Sequence, residues 1–229
     1  MKRTYFLPIF LFAIISTYTN AQFSQIGNLD LIVKTNELLD DSINLSETEG
    51  TPYENETFVF GRAISEKMDI SSPYLMRYNI YNDVIEVEDK DQINSLKKSL
   101  DLYAVISNKE YHYKEYADES ERINKGYFIL LYSGGNIELF LRKTQKYKEP
   151  KPPKNSFQPK EPGAFIDYEN YFIKTDGILF EMSTNKKEVT KQFPGIEADI
   201  KNFMKANKTS LKSKEDVIEL MTFVDAQLK

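Results

Sequence analysis

The stretch Leu75–Asp89, LMRYNIYNDVIEVED, decides how the chain is read, because one hairpin register sorts nearly every residue in it. With Asn82-Asp83 as a two-residue turn, Tyr81 pairs with Val84, Ile80 with Ile85, Asn79 with Glu86, Tyr78 with Val87 and Arg77 with Glu88. Strand alternation then puts Met76, Tyr78, Ile80, Ile85 and Val87 on one face, and Arg77, Asn79, Tyr81, Val84, Glu86 and Glu88 on the other. The second face is expected to be wet. Arg77 would meet Glu88 directly and Glu86 diagonally, a cross-strand ion pair of roughly 0.2–1 kcal/mol.

Working outward, the same texture recurs from Thr57 onward. FVFGRAI (58–64), YLMRYNIY (74–81), VIEVE (84–88), LYAVIS (102–107), EYHYKEY (110–116), GYFILLYS (126–133), NIELFLRK (136–143), YFIK (171–174) and ILFEM (178–182) are short runs rich in Val, Ile, Tyr and Phe. Separated by turn residues, they predict antiparallel hairpins. In the hairpin turning at Gly134-Gly135, Phe128, Leu130 and Tyr132 are expected to face Ile137, Leu139 and Leu141. Tyr127, Ile129 and Leu131 would share the other side with Phe140, Glu138 and Arg142. Both sides carry large apolar residues, so this hairpin is expected to be covered on two faces. Thr175-Asp176-Gly177 reads as another tight turn.

Before the hairpins, MKRTYFLPIFLFAIISTYTNAQ has Lys2 and Arg3 ahead of a short apolar run and a small-residue site at Ala21, the pattern of a cleaved secretory signal peptide. That run is shorter than the roughly 20 residues a spanning helix needs, and no later stretch is apolar enough to cross a bilayer. With no cysteine, the chain lacks both a lipobox thiol and any disulfide. The mature chain is therefore expected to be soluble and periplasmic or secreted. Removing Lys2 and Arg3 makes the formal net charge of −5 two units more negative, which argues against a nucleic-acid footprint. A 41% hydrophobic, 13% aromatic composition is that of a folded chain rather than a disordered one.

The expected organisation follows. Residues 1–21 are the signal peptide, 22–56 an N-terminal helix or strand with a loop, and 57–183 the antiparallel β domain. Within it, KYKEPKPPKNSFQPKEPGAF carries five of the nine prolines and reads as a loop over 149–163. Residues 184–229 form a helical segment packed on the β domain. Thr184 or Asn185 can cap KKEVTKQF, and Pro194-Gly195 breaks it. Ile196, Ile200, Phe203 and Met204 then make one stripe; Ser213 with Asp216 opens a last helix, whose stripe is Val217, Leu220, Met221, Val224 and Leu228. The fold class is α+β, a mostly antiparallel sheet curled as a sandwich or open barrel, followed by short helices.

TPYENETFVFGRAI, LMRYNIYNDVIEVED, GYFILLYS and FPGIEADIKNFMKANKTSLKSKEDVIELMTFV together resemble a family of uncharacterised, signal-peptide-bearing envelope or secreted proteins of Gram-negative bacteria. The resemblance covers most of the mature chain. It implies an extracytoplasmic location and this architecture, and carries over no catalytic residue.

Chemistry-bearing motifs are sparse. His112, the one histidine, sits in EYHYKEY on a strand face with Glu110 and Lys114, with no GxSxG elbow to accompany it, and reads as an exposed strand residue. A single histidine and no cysteine make a zinc site improbable, and neither GxxxxGK[ST] nor GxGxxG occurs. Asp89-Lys90-Asp91 begins like a calcium loop but lacks the glycine and glutamate that an EF-hand requires. Glu86, Glu88, Asp89, Asp91, Asp167 and Glu169 are the acids a two-carboxylate hydrolase would draw on. No catalytic, cofactor or metal residue is therefore assigned. The expected function is a non-enzymatic envelope protein that presents a tyrosine-rich sheet face or its helical tail to a protein partner. Its rivals are a carboxylate-based glycan hydrolase and a carrier of an apolar small molecule inside the curled sheet.

Overall fold

A computed structural model of the chain describes residues 31–34, 39, 42–65, 73–89, 92–117, 122–153, 155 and 159–228. The stretch read as a signal peptide and part of the N-terminal segment lie outside the described residues, as do Lys90 and Asp91. The strands are β1 (Ile32–Val33), β2 (Thr48–Glu49), β3 (Val59–Ser65), β4 (Tyr74–Asn79), β5 (Val84–Asp89) and β6 (Gln92–Leu96), followed by β7 (Leu102–Ile106), β8 (Lys109–Ala117), β9 (Ile123–Ser133), β10 (Glu138–Lys148), β11 (Gly163–Thr175) and β12 (Ile178–Glu181). Three helices follow, α1 (Lys186–Lys191), α2 (Glu197–Ala206) and α3 (Lys214–Gln227). Strand accounts for about half of the described residues, so the sheet sets the architecture: a curled, open half-barrel, with helices at the end of the chain, an α+β fold.

Spatial order runs β1-β6-β5-β4-β3-β7-β8-β9-β10-β11-β12, and β2 adds in parallel to the start of β11. Two meanders therefore leave β3 in opposite directions, with the β6–β7 connection as the one crossover between them. All other pairings are antiparallel, which short loops permit.

The hairpin over Leu75–Asp89 forms with a shifted register. Arg77 pairs with Glu86, Tyr78 with Ile85 and Asn79 with Val84, so Ile80–Asp83 is a four-residue turn. Two local contacts widen it. The Asn82 amide donates to Asn79 Oδ1 at 3.0 Å, and the Ile80 amide donates to the Pro52 carbonyl at 2.8 Å, leaving no ladder partner for Ile80 on β5. Only Asp83 takes positive φ, at 53°, where a two-residue type I′ turn would need two such residues. Because the shift is two residues, the expected face memberships survive.

The expectation of a wet second face does not survive. Asn79, Val84 and Glu86 are fully buried. Tyr53 bridges to Asn79, and the rings of Tyr53 and Phe58 lie against Arg77, so the segment before β3 roofs this face.

The Gly134-Gly135 hairpin is covered on both faces, as its composition requires. Tyr127, Ile129, Leu139 and Leu141 enter the main core. Phe128, Phe140 and Phe172 form a second core on the other face, with Tyr116, Leu130 and Leu179 packed against it. The expected partition had Leu139 and Leu141 with Phe128; the structure places Phe140 there instead. A bulge that leaves Leu131 of β9 unpaired opposite Leu139 and Phe140 changes the register by one residue and exchanges the faces of β9 relative to β10 beyond it. The turn itself closes with the Gly134 amide donating to the Ile137 carbonyl at 2.8 Å.

The inside of the curl is filled by the helical tail. Val217, Leu220, Met221 and Val224 of α3 join Met76, Tyr78, Tyr111 and Tyr127 in one buried cluster, together with Val189, Ile200 and Met204 of the shorter helices. Asn185 caps α1 and Ser213 caps α3 through its hydroxyl, as the sequence implies. Asp225 then fastens α3 to the β9–β10 turn. Its carboxylate accepts the amides of Gly135, Asn136 and Ile137 at 3.1, 2.7 and 2.9 Å, and the Tyr132 hydroxyl at 3.0 Å. A side chain at Gly134 would strike that carboxylate, its Cβ falling 2.2 Å from Oδ2.

Candidate functional site

Three charge clusters lie in the sheet, and each is closed on itself. In the first, Arg77 Nε donates to Glu86 at 2.7 Å, Asn79 Nδ2 donates to the other carboxylate oxygen at 2.8 Å, and an Arg77 terminal nitrogen reaches the Glu56 carbonyl at 2.9 Å. The guanidinium carbon sits 3.6 Å from the Tyr53 ring centre, a cation–π contact that completes its surroundings. Glu88 and Asp89 are only half buried, and neither joins this cluster.

In the second, Asp83 accepts from the Tyr78 hydroxyl at 2.7 Å and from the Tyr127 amide at 3.2 Å, and meets Arg142 at 3.3 Å. Arg142 is threaded over Gly126, where a Cβ would fall 2.1 Å from a guanidinium nitrogen. The Arg142 pKa rises: burial acts to lower it, and the charge and hydrogen bond of Asp83, together with Tyr116 and Tyr78, more than offset that.

The third cluster bears most directly on catalysis. Glu54 accepts from Lys109 and, at 2.7 Å, from Lys143, which also meets Glu169 at 3.2 Å. Lys109, Lys143 and Glu169 line a cleft of about 430 Å³ beside Lys214 and Glu215 of the tail. Two carboxylates thus converge on one ammonium. A hydrolase would need one of them kept protonated, and Glu54 is shifted the opposite way: burial acts to raise its pKa, but Lys109 and Lys143 hold it below the ordinary carboxylate range. Nearby Tyr111 is pushed far up by burial, with a smaller push from Glu54, and stays a neutral phenol.

The other acids singled out in the sequence are scattered. Asp167 is exposed and accepts from Gln145 at 2.6 Å, Glu86 is sealed in the first cluster, and Asp91 lies outside the described residues. Glu54, which shares Lys143 with Glu169, is not among them; it precedes the first strong strand, and nothing in its local pattern sets it apart. Among the described residues there is no group of three His, Asp or Glu that could hold a metal ion.

His112 is not the exposed strand residue expected. Its side chain is 20% exposed, stacked on Tyr103 at 4.7 Å and edge-on to Phe140 at 5.9 Å. Burial lowers its pKa, opposed in part by a hydrogen bond with Glu110.

The helical tail contrasts with these clusters. A half-open groove of about 640 Å³ runs between α1 and α2. Helix α1 is held by Gln192, whose amide donates to the Glu181 carbonyl at 2.8 Å and accepts the Ser183 amide at 3.1 Å, so α1 is tied to the end of β12. Val189 on α1, Phe193 just beyond its end and Ile200 on α2 point into the core, which turns Lys186, Lys187, Lys201 and Lys205 outward onto the groove. Met204 and Thr190 complete its floor. Lys191 pairs with Glu188 at 2.9 Å. Lys186, Lys187, Lys201 and Lys205 are exposed and have no ion-pair partner among the described residues.

Comparison with known proteins found no family model, no curated protein and no solved structure that matches this chain.

Proposed function

We propose that the protein is a non-enzymatic, extracytoplasmic binding protein whose binding element is its helical tail. The observation that carries this reading is the groove of about 640 Å³ between α1 and α2, rimmed by lysines without counter-ions. Its size lies in the range of small-ligand sites, about 300–1,000 Å³. The sheet supports that tail: its buried charges satisfy one another, and Tyr78, Tyr111 and Tyr127 are buried in the core rather than presented on a sheet face. The space inside the curl is likewise occupied by α3, so a carried molecule finds its place on the tail rather than within the sheet. The cleavable leader read over residues 1–21 supports an extracytoplasmic setting. No helix of the described residues is long and apolar enough to cross a membrane.

A ligand that binds the folded state raises its melting temperature. Envelope extract is expected to raise the thermal midpoint of the wild-type chain and of a Lys97→Glu/Lys151→Glu control, and to leave a Lys187→Glu/Lys201→Glu variant unmoved. An equal rise in all three, or none in the wild type, would contradict the reading.

A further inference from the structure

We infer that the α1–α2 groove takes a single-chain anionic amphiphile, its acyl chain lying between the helices and its carboxylate at the lysine rim. The inference rests on the binding-protein reading and adds the ligand class.

The walls identify the chain. Besides Met204, Thr190 and Glu197, the groove is lined by five lysines, Lys186, Lys187, Lys191, Lys201 and Lys205, whose methylene stems present apolar flanks below charged tips. Met204 adds an adaptable thioether surface at the floor. The neutral polar capacity is already spent: the Thr190 hydroxyl donates to the Lys187 carbonyl at 2.8 Å. A sugar, which must be met by convergent donors and acceptors, finds no free neutral group on the floor; an acyl chain requires none.

Charge identifies the head group. Four lysines without ion-pair partners face the groove, and the one lining carboxylate, Glu197, accepts the Gly195 amide at 2.9 Å. In a chain of formal net charge −5, this is a local reversal of sign. A fatty-acid carboxylate can be met by more than one ammonium without losing its hydration, the geometry of a rim contact.

Dimensions favour a small ligand over a protein. The groove follows α2, whose ten residues span about 15 Å, the extended length of a medium acyl chain. Its eight lining residues fall well short of the roughly 20–30 residues per side of a standard protein interface.

The test is calorimetric titration with sodium dodecanoate below its micellar concentration, using the chain that begins after the leader. One molecule is expected to bind per chain, and Lys187→Glu/Lys201→Glu to weaken it about tenfold or more, a loss of about 1.4 kcal/mol or more. Acetate, which lacks the chain, and dodecyltrimethylammonium, which reverses the head-group charge, are expected not to bind. Equal binding of the cationic amphiphile, or a charge-reversed variant that binds dodecanoate as well as the wild type, would overturn the inference. So would binding to phosphatidylglycerol vesicles, or to an acidic amphipathic peptide, without binding of monomeric dodecanoate. If dodecanoate fails while envelope extract still raises the midpoint of the wild type and not of the variant, the amphiphile falls and the binding tail stands. If both fail, both readings fall.

Discussion

Strand β4 and helix α2 each set a cation against apolar surface, and the fold treats the two in opposite ways. Arg77 on β4 is 14% exposed, bonded to Glu86 at 2.7 Å and stacked on Tyr53. Lys201 and Lys205 on α2 are exposed above Met204 with no counter-ion among the described residues. The first arrangement is what burial demands, because a charge out of water must be paired and hydrogen-bonded. The second is what burial does not demand, since an exposed ammonium keeps its hydration whether or not an anion is near. The charges within the sheet therefore report on stability, and those of the tail are available to a ligand.

The sharpest way to break this contrast is to remove Arg77. Arg77→Ala leaves Glu86 buried without its cation and is expected to cost about 3–5 kcal/mol in urea unfolding. A loss below about 1 kcal/mol, the range of an exposed pair, would return the hairpin to a wet face. The double variant Arg77→Met/Glu86→Leu is expected to recover most of that loss, because an apolar pair leaves no uncompensated charge. Recovery stays incomplete, since Asn79 Nδ2 donates to Glu86 and would lose its acceptor.

A smaller effect is expected where the two regions are joined. Asp225→Ala removes the carboxylate that holds the β9–β10 turn to α3, a loss of roughly 1–3 kcal/mol. The pH dependence has a definite sign. Desolvation acts to raise the Asp225 pKa, but the amides of Asn136, Gly135 and Ile137 and the Tyr132 hydroxyl hold it below the ordinary aspartate range. A carboxyl depressed by folding contributes stability above its unfolded pKa, near 4, and that contribution disappears as pH falls through the folded value. Asp225→Asn should flatten this acid limb of the stability profile; an unchanged limb would show that Asp225 does not fasten the tail.

The least effect on stability is expected from the tail's own charges. Lys187→Glu/Lys201→Glu should change the unfolding free energy in urea by no more than about 0.5 kcal/mol, as for surface substitutions remote from structural features. A larger change would mean that these lysines serve the fold.

How much of this was legible in the sequence depends on how far away each cause lies. All nine strand runs found from the Val, Ile, Tyr and Phe texture correspond to strands, because that texture is local. Strand β6 was missed, since QINSL lacks the pattern. The faces of β4 and β5 were right although the register was not, because a slip of two residues preserves alternation. Those of β9 were mismatched to β10 beyond the β9 bulge, where the adjoining turn is held by Asp225, ninety residues on from Gly135. Burial of Glu86 was illegible for the same reason: the roof comes from Tyr53 and Phe58, outside the hairpin. The tail stripes were plain, but they carry no information on which lysines between them share a groove. One signal was there to be used: residues 184–208 hold six lysines against three acids in a chain that is acidic overall.

The most direct test of the contrast is lysine-by-lysine acetylation of the folded chain, read by mass spectrometry with and without envelope extract. Protection confined to Lys186, Lys187, Lys201 and Lys205, with Lys97 and Lys151 on the sheet side reacting equally in both conditions, is the result expected. Protection spread evenly over sheet and tail, or greater at Lys97 and Lys151, would contradict it.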